Sequence, residues 1–278
     1  MKSKTSKTII ASAMCAAAVT IAFNASAADE VDAIKARGTV ICGTGSNYVP
    51  FSFIEDQTTR KNVGYDVDLC EAVAKKLGVK AELKFVTTAT RIPELQQGRV
   101  DLALASVTIT PERKELISFS YPDMVSGTAI IVAADKPLKA FSDLADKRVA
   151  VMEGGSTGPA MTAKVPSSKV IGFPTPATAF LALEQHKVHA MAGDETALLG
   201  LMRATPGKYV MFDQYLVKEK MGIGIRKDEP RLLALVNETL VEMEKSGAAQ
   251  ASYDRWFGAN SPLKRHRNFK FGPEEAVE

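Results

Sequence analysis

Arg113 lies in the first turn of a predicted helix, where a positive charge is normally unfavourable. Thr110 and Pro111 have the features of a helix start, with threonine as the N-cap and proline in the first helical position. The start of a helix carries a partial positive charge, so an arginine there is destabilising unless an anion lies nearby. Hydroxyl groups at Ser106 and Thr108 come just before, and a guanidinium matches a carboxylate in two hydrogen bonds. These residues predict a carboxylate site; the alternative is a surface arginine paired with a neighbouring glutamate.

A second helix start that suits an anion follows a predicted strand at 148–152. Its glycine-rich loop, residues 154–158, contains Ser156 and Thr157. Successive backbone N–H groups in such a loop can hold an anion. No Gly-Lys-Ser/Thr sequence follows, so the loop is not a nucleotide-binding P-loop. A tight turn without a ligand is the alternative interpretation.

Asp194 and Arg91 add opposite charges at two further junctions. Asp194 precedes a helix predicted at 195–203, where it either caps the helix or offers a carboxylate to an ammonium group. Arg91 lies at another helix start, and a solvated surface residue is the alternative there. Tyr48 and Phe51, in the first loop, have aromatic rings that can line a small-ligand site. Two cationic helix starts, one aspartate and several hydroxyls match a ligand with a carboxylate and an ammonium group, which is a free amino acid.

The segments that carry these residues alternate between strands and helices, which indicates an α/β fold. Tyr65, Leu69, Val73 and Leu77 recur at helical spacing and Gly78 follows them, so a helix is predicted over 65–77. Ligands of open α/β sheets bind beyond the carboxyl ends of the strands, where the candidate residues lie. Further strands are predicted at 40–43, 81–85, 100–105 and 148–152, and further helices at 93–97 and 230–245.

The same order of segments occurs twice, which indicates two lobes of similar architecture. Residues 92–106 can be aligned with residues 180–194, and a strand that runs into a glycine-rich loop precedes each of them. If the helix at 230–245 packs on the first lobe, two extended segments, at 127–132 and 222–226, connect the lobes. Such a hinge is a natural place for a ligand cleft. The predicted organisation is lobe one from 28–130 and 223–258, lobe two from 131–222, and a polar tail from 259–278 that wraps the surface.

Residues 1–27 have the features of a secretory signal peptide. Three lysines precede an acid-free apolar run, and Ala25-Ser26-Ala27 is a typical cleavage site, so export to the periplasm is predicted. Removing this segment leaves 32 basic and 32 acidic residues, a balance that gives no reason to expect nucleic-acid binding. No later apolar run is long enough to cross a membrane.

Two cysteines remain in the predicted mature chain, Cys42 on a strand and Cys70 on a helix. An exported protein can pair them, but two small packed residues explain them equally well. Neither the cysteines nor the 3 histidines have the spacing of metal ligands, so no metal or other cofactor is expected.

An ordered set of motifs covers nearly the whole mature chain: Gly38-Thr-Val, Pro50-Phe-Ser-Phe53, Gly64-Tyr-Asp-Val-Asp-Leu69, Leu95-Gln-Gln-Gly-Arg-Val-Asp101, Thr108-Ile-Thr-Pro-Glu-Arg113, Gly222-Ile223 and Trp256-Phe257. The set resembles the periplasmic amino-acid-binding proteins of bacterial ABC importers, the extracellular solute-binding family 3. The resemblance implies a two-lobed, type II periplasmic-binding fold that closes on its ligand. It also implies a monomeric binding protein without catalysis, whose partner is an inner-membrane permease with its ATPase.

The resemblance assigns roles to the candidate residues. It implies that Arg113 binds the ligand α-carboxylate and that Asp194 binds the α-ammonium group. An aromatic ring at Tyr48 or Phe51 is expected to pack on the ligand side chain. Further ligand contacts are expected from Ser106, Thr108, Ser156 and Thr157.

The identity of the ligand depends on Arg91. Thr90-Arg91-Ile-Pro and Asn268-Phe-Lys-Phe resemble the glutamate/aspartate-binding branch, where in some members this arginine meets the side-chain carboxylate. A further basic residue of some glutamate-binding relatives would fall near Gly45, where this chain has none. An acidic amino acid is favoured, and glutamine, asparagine or another polar amino acid are the alternatives.

Two other functions are compatible with the same scaffold. A periplasmic enzyme similar to cyclohexadienyl dehydratase would need a general acid in the cleft, for which Glu153 and Asp194 are the nearby candidates. A periplasmic sensor would present the same ligand to a receptor. No histidine pair, nucleophile motif or metal set supports an enzyme, so a binding protein is predicted.

Overall fold

A nine-stranded β-sheet runs through both lobes of the chain. The structure, a computed structural model, describes residues 29–56, 58–136 and 138–273. Its strands are β1 (Thr39–Thr44), β2 (Phe53–Asp56), β3 (Lys61–Val63), β4 (Lys80–Phe85), β5 (Leu102–Ala103), β6 (Ser118–Ala133), β7 (Arg148–Met152), β8 (Lys169–Phe173), β9 (Ala190–Asp194), β10 (Tyr209–Met211) and β11 (Val217–Ile225). Its helices are α1 (Glu30–Arg37), α2 (Tyr65–Leu77), α3 (Arg91–Gln96), α4 (Pro111–Leu116), α5 (Thr157–Lys164), α6 (Pro176–Glu184), α7 (Glu195–Met202), α8 (Pro230–Ser246) and α9 (Ala248–Trp256), with a 3-10 helix at Phe141–Leu144.

The two lobes are the two ends of this sheet. Its strand order is β4-β1-β5-β11-β6-β9-β7-β8, with β10 paired to β6, while β2 and β3 form a separate pair. At one end β1 pairs in parallel with β4 and β5, and at the other β7 pairs in parallel with β8 and β9. In the middle, β6 and β11 run antiparallel, from Val217 opposite Thr128 to Ile225 opposite Ser118. These are the two predicted hinge strands, and the two-lobed α/β fold is confirmed.

Helix α2 illustrates how the sequence forms the core of lobe one. Its residues Tyr65, Leu69, Val73 and Leu77 are buried, as their spacing predicts. Gly78 ends the helix with a φ of 74°, a left-handed conformation that glycine adopts without a steric penalty. Helix α8 packs on the same core, as predicted, through Leu232, Val236 and Leu240.

Lobe two buries both faces of its sheet, because helices cover each side of it. On one face Ile130 of β6 belongs to a core cluster with Val149 of β7. On the opposite face Ile131 belongs to a cluster with Leu183 of α6. A strand buried on both faces has a nearly continuous apolar sequence, as β6 has from Ala129 onward.

Three segments differ from their sequence-based prediction. Helix α3 begins at Arg91 rather than at 93, because a proline at its third position is tolerated in a first turn. Strand β5 covers only Leu102–Ala103 of the predicted strand at 100–105. The polar C-terminal tail is not merely a surface segment, since Phe269 and Phe271 are buried in the core of lobe one.

None of the described helices is long and apolar enough to cross a membrane. Within the same described ranges, no three His, Cys, Asp or Glu side chains cluster in a way that could hold a metal ion. The predicted signal peptide, residues 1–27, lies outside the described residues.

Cys42 and Cys70 form a disulfide that joins β1 to α2. Both residues are fully buried in the core of lobe one. Of the two interpretations open from the sequence, the structure therefore supports the disulfide. The bond closes a loop between residues 28 positions apart, which restricts the unfolded chain.

We predict that reducing this disulfide lowers the free energy of unfolding by about 3.5 kcal/mol, the value that chain entropy gives for a loop of this length. Urea unfolding of the protein with and without reductant measures the difference. The double variant Cys42→Ala/Cys70→Ala is the matched control. It loses the packing of two buried sulfur atoms as well as the link, and its stability should not change on addition of reductant. Equal stability of the oxidised and reduced proteins would contradict the prediction.

Candidate ligand-binding site

A cavity of about 50 Å³ lies between the lobes, at the carboxyl ends of strands from both of them. This is where ligands bind in open α/β sheets. Seven of the nine candidate residues from the sequence line it: Tyr48, Arg91, Ser106, Thr108, Ser156, Thr157 and Asp194. The remaining two, Arg113 and Phe51, do not belong to this lining.

Arg113 bridges the two lobes with its guanidinium group. The helix start is as predicted, since the Thr110 hydroxyl accepts a hydrogen bond from the Arg113 backbone N–H at 3.3 Å. Arg113 Nη1 donates to the Thr108 carbonyl at 2.9 Å, and Nη2 donates across the cleft to the Gly154 carbonyl at 3.1 Å. The side chain is buried, and burial lowers its pKa. Among the described residues, no carboxylate forms an ion pair with it.

Arg91 is the second buried cation of the cleft. It is 3% exposed, although a surface position was the alternative from the sequence. Its Nη1 donates to the carbonyls of Ala105 and Ser106, the latter at 3.0 Å. Its Nε has no hydrogen-bond partner among the described residues. Burial and the charge of Arg113 lower the pKa of Arg91 to about 9, so the group stays charged at neutral pH.

Asp194 has both properties that were alternatives in the sequence, because it caps a helix and also faces the cavity. Its Oδ1 accepts hydrogen bonds from the Ala197 N–H at 3.0 Å and from the Thr196 hydroxyl at 2.5 Å, at the start of α7. Its buried Oδ2 accepts no hydrogen bond of normal geometry within the described chain, although the Ser126 hydroxyl is close enough to lower the pKa of the carboxyl group. Burial raises the pKa of Asp194 in spite of these hydrogen bonds. The free oxygen can accept a hydrogen bond from a ligand.

The aromatic residues of the first loop have separate positions. Tyr48 lines the cavity, and burial together with the Asp194 charge raises the pKa of its phenol. Phe51 is 1% exposed and stacks behind Tyr48 with ring centroids 5.2 Å apart. It also contacts Phe257 edge-on, so it belongs to the core of lobe one. Of the two rings predicted for the ligand side chain, Tyr48 lines the cavity, whereas Phe51 packs behind it and supports its ring.

The glycine-rich loop at 154–158 lies opposite lobe one at the mouth of the cleft. Ser156 precedes α5 and its hydroxyl donates to the Thr108 hydroxyl at 3.3 Å, which links the lobes. A Cβ atom at Gly154 would lie 2.7 Å from the Ala89 Cα, closer than any real side chain permits. The two lobes therefore meet directly on this side, and the cleft is closed.

The opposite side of the cleft is closed by α7. A Cβ atom at Gly200 of this helix would lie 3.1 Å from the carbonyl oxygen of Val49 in lobe one. Val49 adjoins Tyr48 in the same loop, so this contact lies beside the cavity. Glycines on lobe two thus permit the close approach of lobe one on both sides.

Glu219 is the main cavity residue that the sequence did not indicate. It lies on hinge strand β11, and its Oε2 accepts a hydrogen bond from the Thr128 hydroxyl of β6 at 2.9 Å. Its charge is close enough to raise the pKa of both Arg91 and Arg113. Glu219 lies within a strand rather than at a strand-to-helix junction, so the rule that ligands bind at such junctions does not predict it. The available signal was the period-two pattern of this strand, which places Glu219 on the same face as Met221, another residue of the cavity lining. The other uncharged residues of the lining include Thr88, Met152, Met191, Leu198 and Leu201.

This arrangement of two lobes around a charged cleft occurs in a known family. The family model for bacterial extracellular solute-binding proteins, family 3, matches residues 40–259. The chain belongs to this family. The family resemblance of the sequence motifs is thereby confirmed.

Relatives within family 3 have different ligands in their names. The L-cystine-binding protein TcyJ of Escherichia coli (strain K12) is 31% identical over 237 residues, which cover 84% of this chain and 88% of that protein. The glutamate/aspartate import solute-binding protein of Escherichia coli (strain K12) is 29% identical over 263 residues, or 89% of this chain and 86% of that protein. Because these identities are so similar, the comparisons do not favour the glutamate/aspartate branch.

A solved structure in the same fold is that of the ancestral amino acid-binding protein AncCDT-1, a precursor of cyclohexadienyl dehydratase. It is 36% identical, with a TM-score of 0.77, and the match covers 83% of this chain and 100% of that chain. The fold of this chain is therefore that of an amino-acid-binding protein of known structure.

Proposed function

We propose that this protein is a periplasmic binding protein that captures a free amino acid between its lobes and delivers it to an ABC-type permease. The observation that carries the proposal is a pair of opposite charges at the cleft: Asp194 lines the cavity, and Arg113 donates to the carbonyl of the cavity residue Thr108. Arg113 has no carboxylate partner in the described chain, and Asp194 Oδ2 accepts no hydrogen bond of normal geometry there. The α-carboxylate and α-ammonium groups of an amino acid supply both missing partners.

Ligand binding then couples directly to closure of the lobes. Arg113 and Thr108 belong to lobe one, whereas Asp194 and Ser156 belong to lobe two. A ligand held by both groups binds the closed form far more tightly than the open one, and so shifts the equilibrium towards it. Tyr48, held in place by Phe51, packs on the ligand side chain. The closed form is the one presented to the permease and its ATPase.

For the side chain of the ligand we propose an acidic group, with Arg91 as its partner. The unpartnered Nε and the lowered pKa of Arg91 both favour an anion beside it. A specific observation favours a second class, however. Glu219 adds a negative charge to the same cavity, which suits a neutral polar amino acid such as glutamine better.

The experiment that tests the proposal is mass spectrometry of small molecules released from natively purified protein. Thermal-shift and calorimetric titrations with the twenty amino acids and L-cystine then measure affinity. Recovery of an amino acid that also raises the melting temperature is the expected result. No bound amino acid and no thermal shift with any of them would overturn the proposal.

An enzyme on this scaffold is the minor alternative, and the similarity to AncCDT-1 is its support. Glu153, one candidate general acid, does not belong to the cavity lining, whereas Asp194 does. Turnover of prephenate or arogenate by the purified protein separates an enzyme from a binding protein.

We predict that Arg113→Ala weakens binding of every amino-acid ligand by on the order of 100-fold or more, because a bidentate charged pair is lost. Arg113→Lys retains the charge without the planar guanidinium group, so its affinity should lie between those of Arg113→Ala and the wild type. Isothermal titration calorimetry measures both. Arg231→Ala, on the exposed side of α8, is the matched control and should bind normally. An Arg113→Ala protein of unchanged affinity would exclude this residue from the site.

We predict that Arg91→Ala weakens binding of L-glutamate by about 30-fold or more, while L-glutamine changes much less, because only glutamate loses a buried charge partner. The ratio of the two affinities within one variant is the readout, since any general loss of folding affects both ligands alike. Equal losses for glutamate and glutamine would remove the case for an acidic ligand.

A further inference from the structure

An ion pair connects the C-terminal segment, residues 258–273, with the start of α7. Arg265 Nη2 lies 2.8 Å from Glu195 Oε1 and 2.9 Å from Glu195 Oε2. Glu195 is only 10% exposed at its side chain, and Arg265 is 40% exposed. Glu195 directly follows Asp194, so the pair adjoins the proposed ammonium site.

The C-terminal segment is fixed to lobe one around Arg265. The Arg265 N–H donates to the Phe257 carbonyl at 2.8 Å. Two residues further on, Arg267 is buried, pairs with Glu244 of α8 and packs over the ring of Phe271. The backbone of Arg265 is therefore held by lobe one, and its side chain reaches out from a fixed position.

Glu195, in contrast, belongs to lobe two. Helix α7 packs on β9 and on the lobe-two part of β6. The same helix meets lobe one again at Gly200, beside Val49. Helix α7 thus faces lobe one at both Glu195 and Gly200, and it carries Asp194 at its N-cap. Separating the lobes moves α7 away from the C-terminal segment.

Tyr215 connects the ion pair with the hinge. It lies beside the pair, since burial and the Glu195 carboxylate raise the pKa of Tyr215 while Arg265 lowers it. The Tyr215 ring packs on hinge strand β6, where a Cβ at Gly127 would lie 2.3 Å from Tyr215 Cδ1. The ion pair therefore lies next to the hinge.

We propose that Arg265 is a positioning residue for ligand binding: through Glu195 it holds α7, and with it Asp194, against lobe one and so favours the closed cleft. The inference rests on the proposed function, in which the ligand is bound between the lobes. It adds a contact that closes the lobes without touching the ligand. Because Arg265 is partly exposed, the expected effect is modest and depends on salt.

The test measures the distance between the lobes directly. Nitroxide labels are attached at Lys80 and Lys169, exposed residues at the starts of β4 and β8, the two edge strands of the sheet. Unnatural keto amino acids carry the labels, so that no cysteine is added. Pulsed electron–electron double resonance spectroscopy then gives the distribution of distances between the two labels. Arg265→Gln is expected to increase the population at longer distances. High salt should have the same effect on the wild-type protein, because it screens the ion pair.

Stopped-flow binding of L-glutamate, L-glutamine and L-cystine supplies the second readout. Whichever of them binds is expected to dissociate about threefold to fivefold faster from Arg265→Gln, as for a partly exposed ion pair. Glu195→Gln should show the same change, and the double variant should show no further loss. Arg265→Lys should recover part of the wild-type behaviour.

Arg37→Gln is the matched control, because Arg37 is similarly exposed, at 37%, and its partner Asp101 lies within lobe one. It should lower the melting temperature while leaving the distance distribution and dissociation rate unchanged. If Arg265→Gln also lowers only the melting temperature, the pair is merely structural and the inference is wrong. If no amino acid binds, the proposed function fails, while the distance distribution still decides whether Arg265 favours closure.

Discussion

The buried charge of Arg113 is the constraint on which the cleft depends. Removing an ionised side chain from water is costly unless opposite charge or hydrogen bonds replace its hydration. In this chain the replacement comes from two carbonyl oxygens, one in lobe one at Thr108 and one in lobe two at Gly154. The hydrogen bonds that stabilise the guanidinium therefore also hold the lobes together. Under the proposed function, a ligand carboxylate offsets the remaining cost.

The fold brings these groups together through one continuous sheet. Parallel strands in each lobe end at the cleft, so helix starts and glycine-rich loops from both lobes face one another there. The hinge strands β6 and β11 cross beneath the cavity and contribute Thr128 and Glu219 to its lining. A deformation of these two strands changes the distance between Arg113 and Asp194. Movement at the hinge therefore changes the geometry of the charged site.

The sequence predicts features that depend on local periodicity and on helix starts. Thr110, Asp194 and the buried face of α2 have the predicted structural roles, because capping and helical spacing act within a few residues. Contacts between distant segments were not predictable. Phe51 and Tyr48 are three residues apart in one loop, and only packing against Phe257 determines which ring is buried. The position of Glu219 likewise requires knowledge of how the hinge strands cross, and so does the reach of Arg265 to Glu195.

The approach of Gly200 to the Val49 carbonyl separates the residence time of a bound molecule from the selectivity of the site, two properties that are usually changed together. Gly200 lies in the regular part of α7 and has an ordinary helical backbone, so a side chain there introduces no left-handed strain. Every atom added at this position instead acts as a spacer between the lobes, since even a methyl group would start 3.1 Å from the opposing carbonyl. The residence time of a bound molecule can thus evolve in small steps through the bulk of one residue that never touches it. Selectivity, which depends on the groups inside the cavity, would remain unchanged in this process.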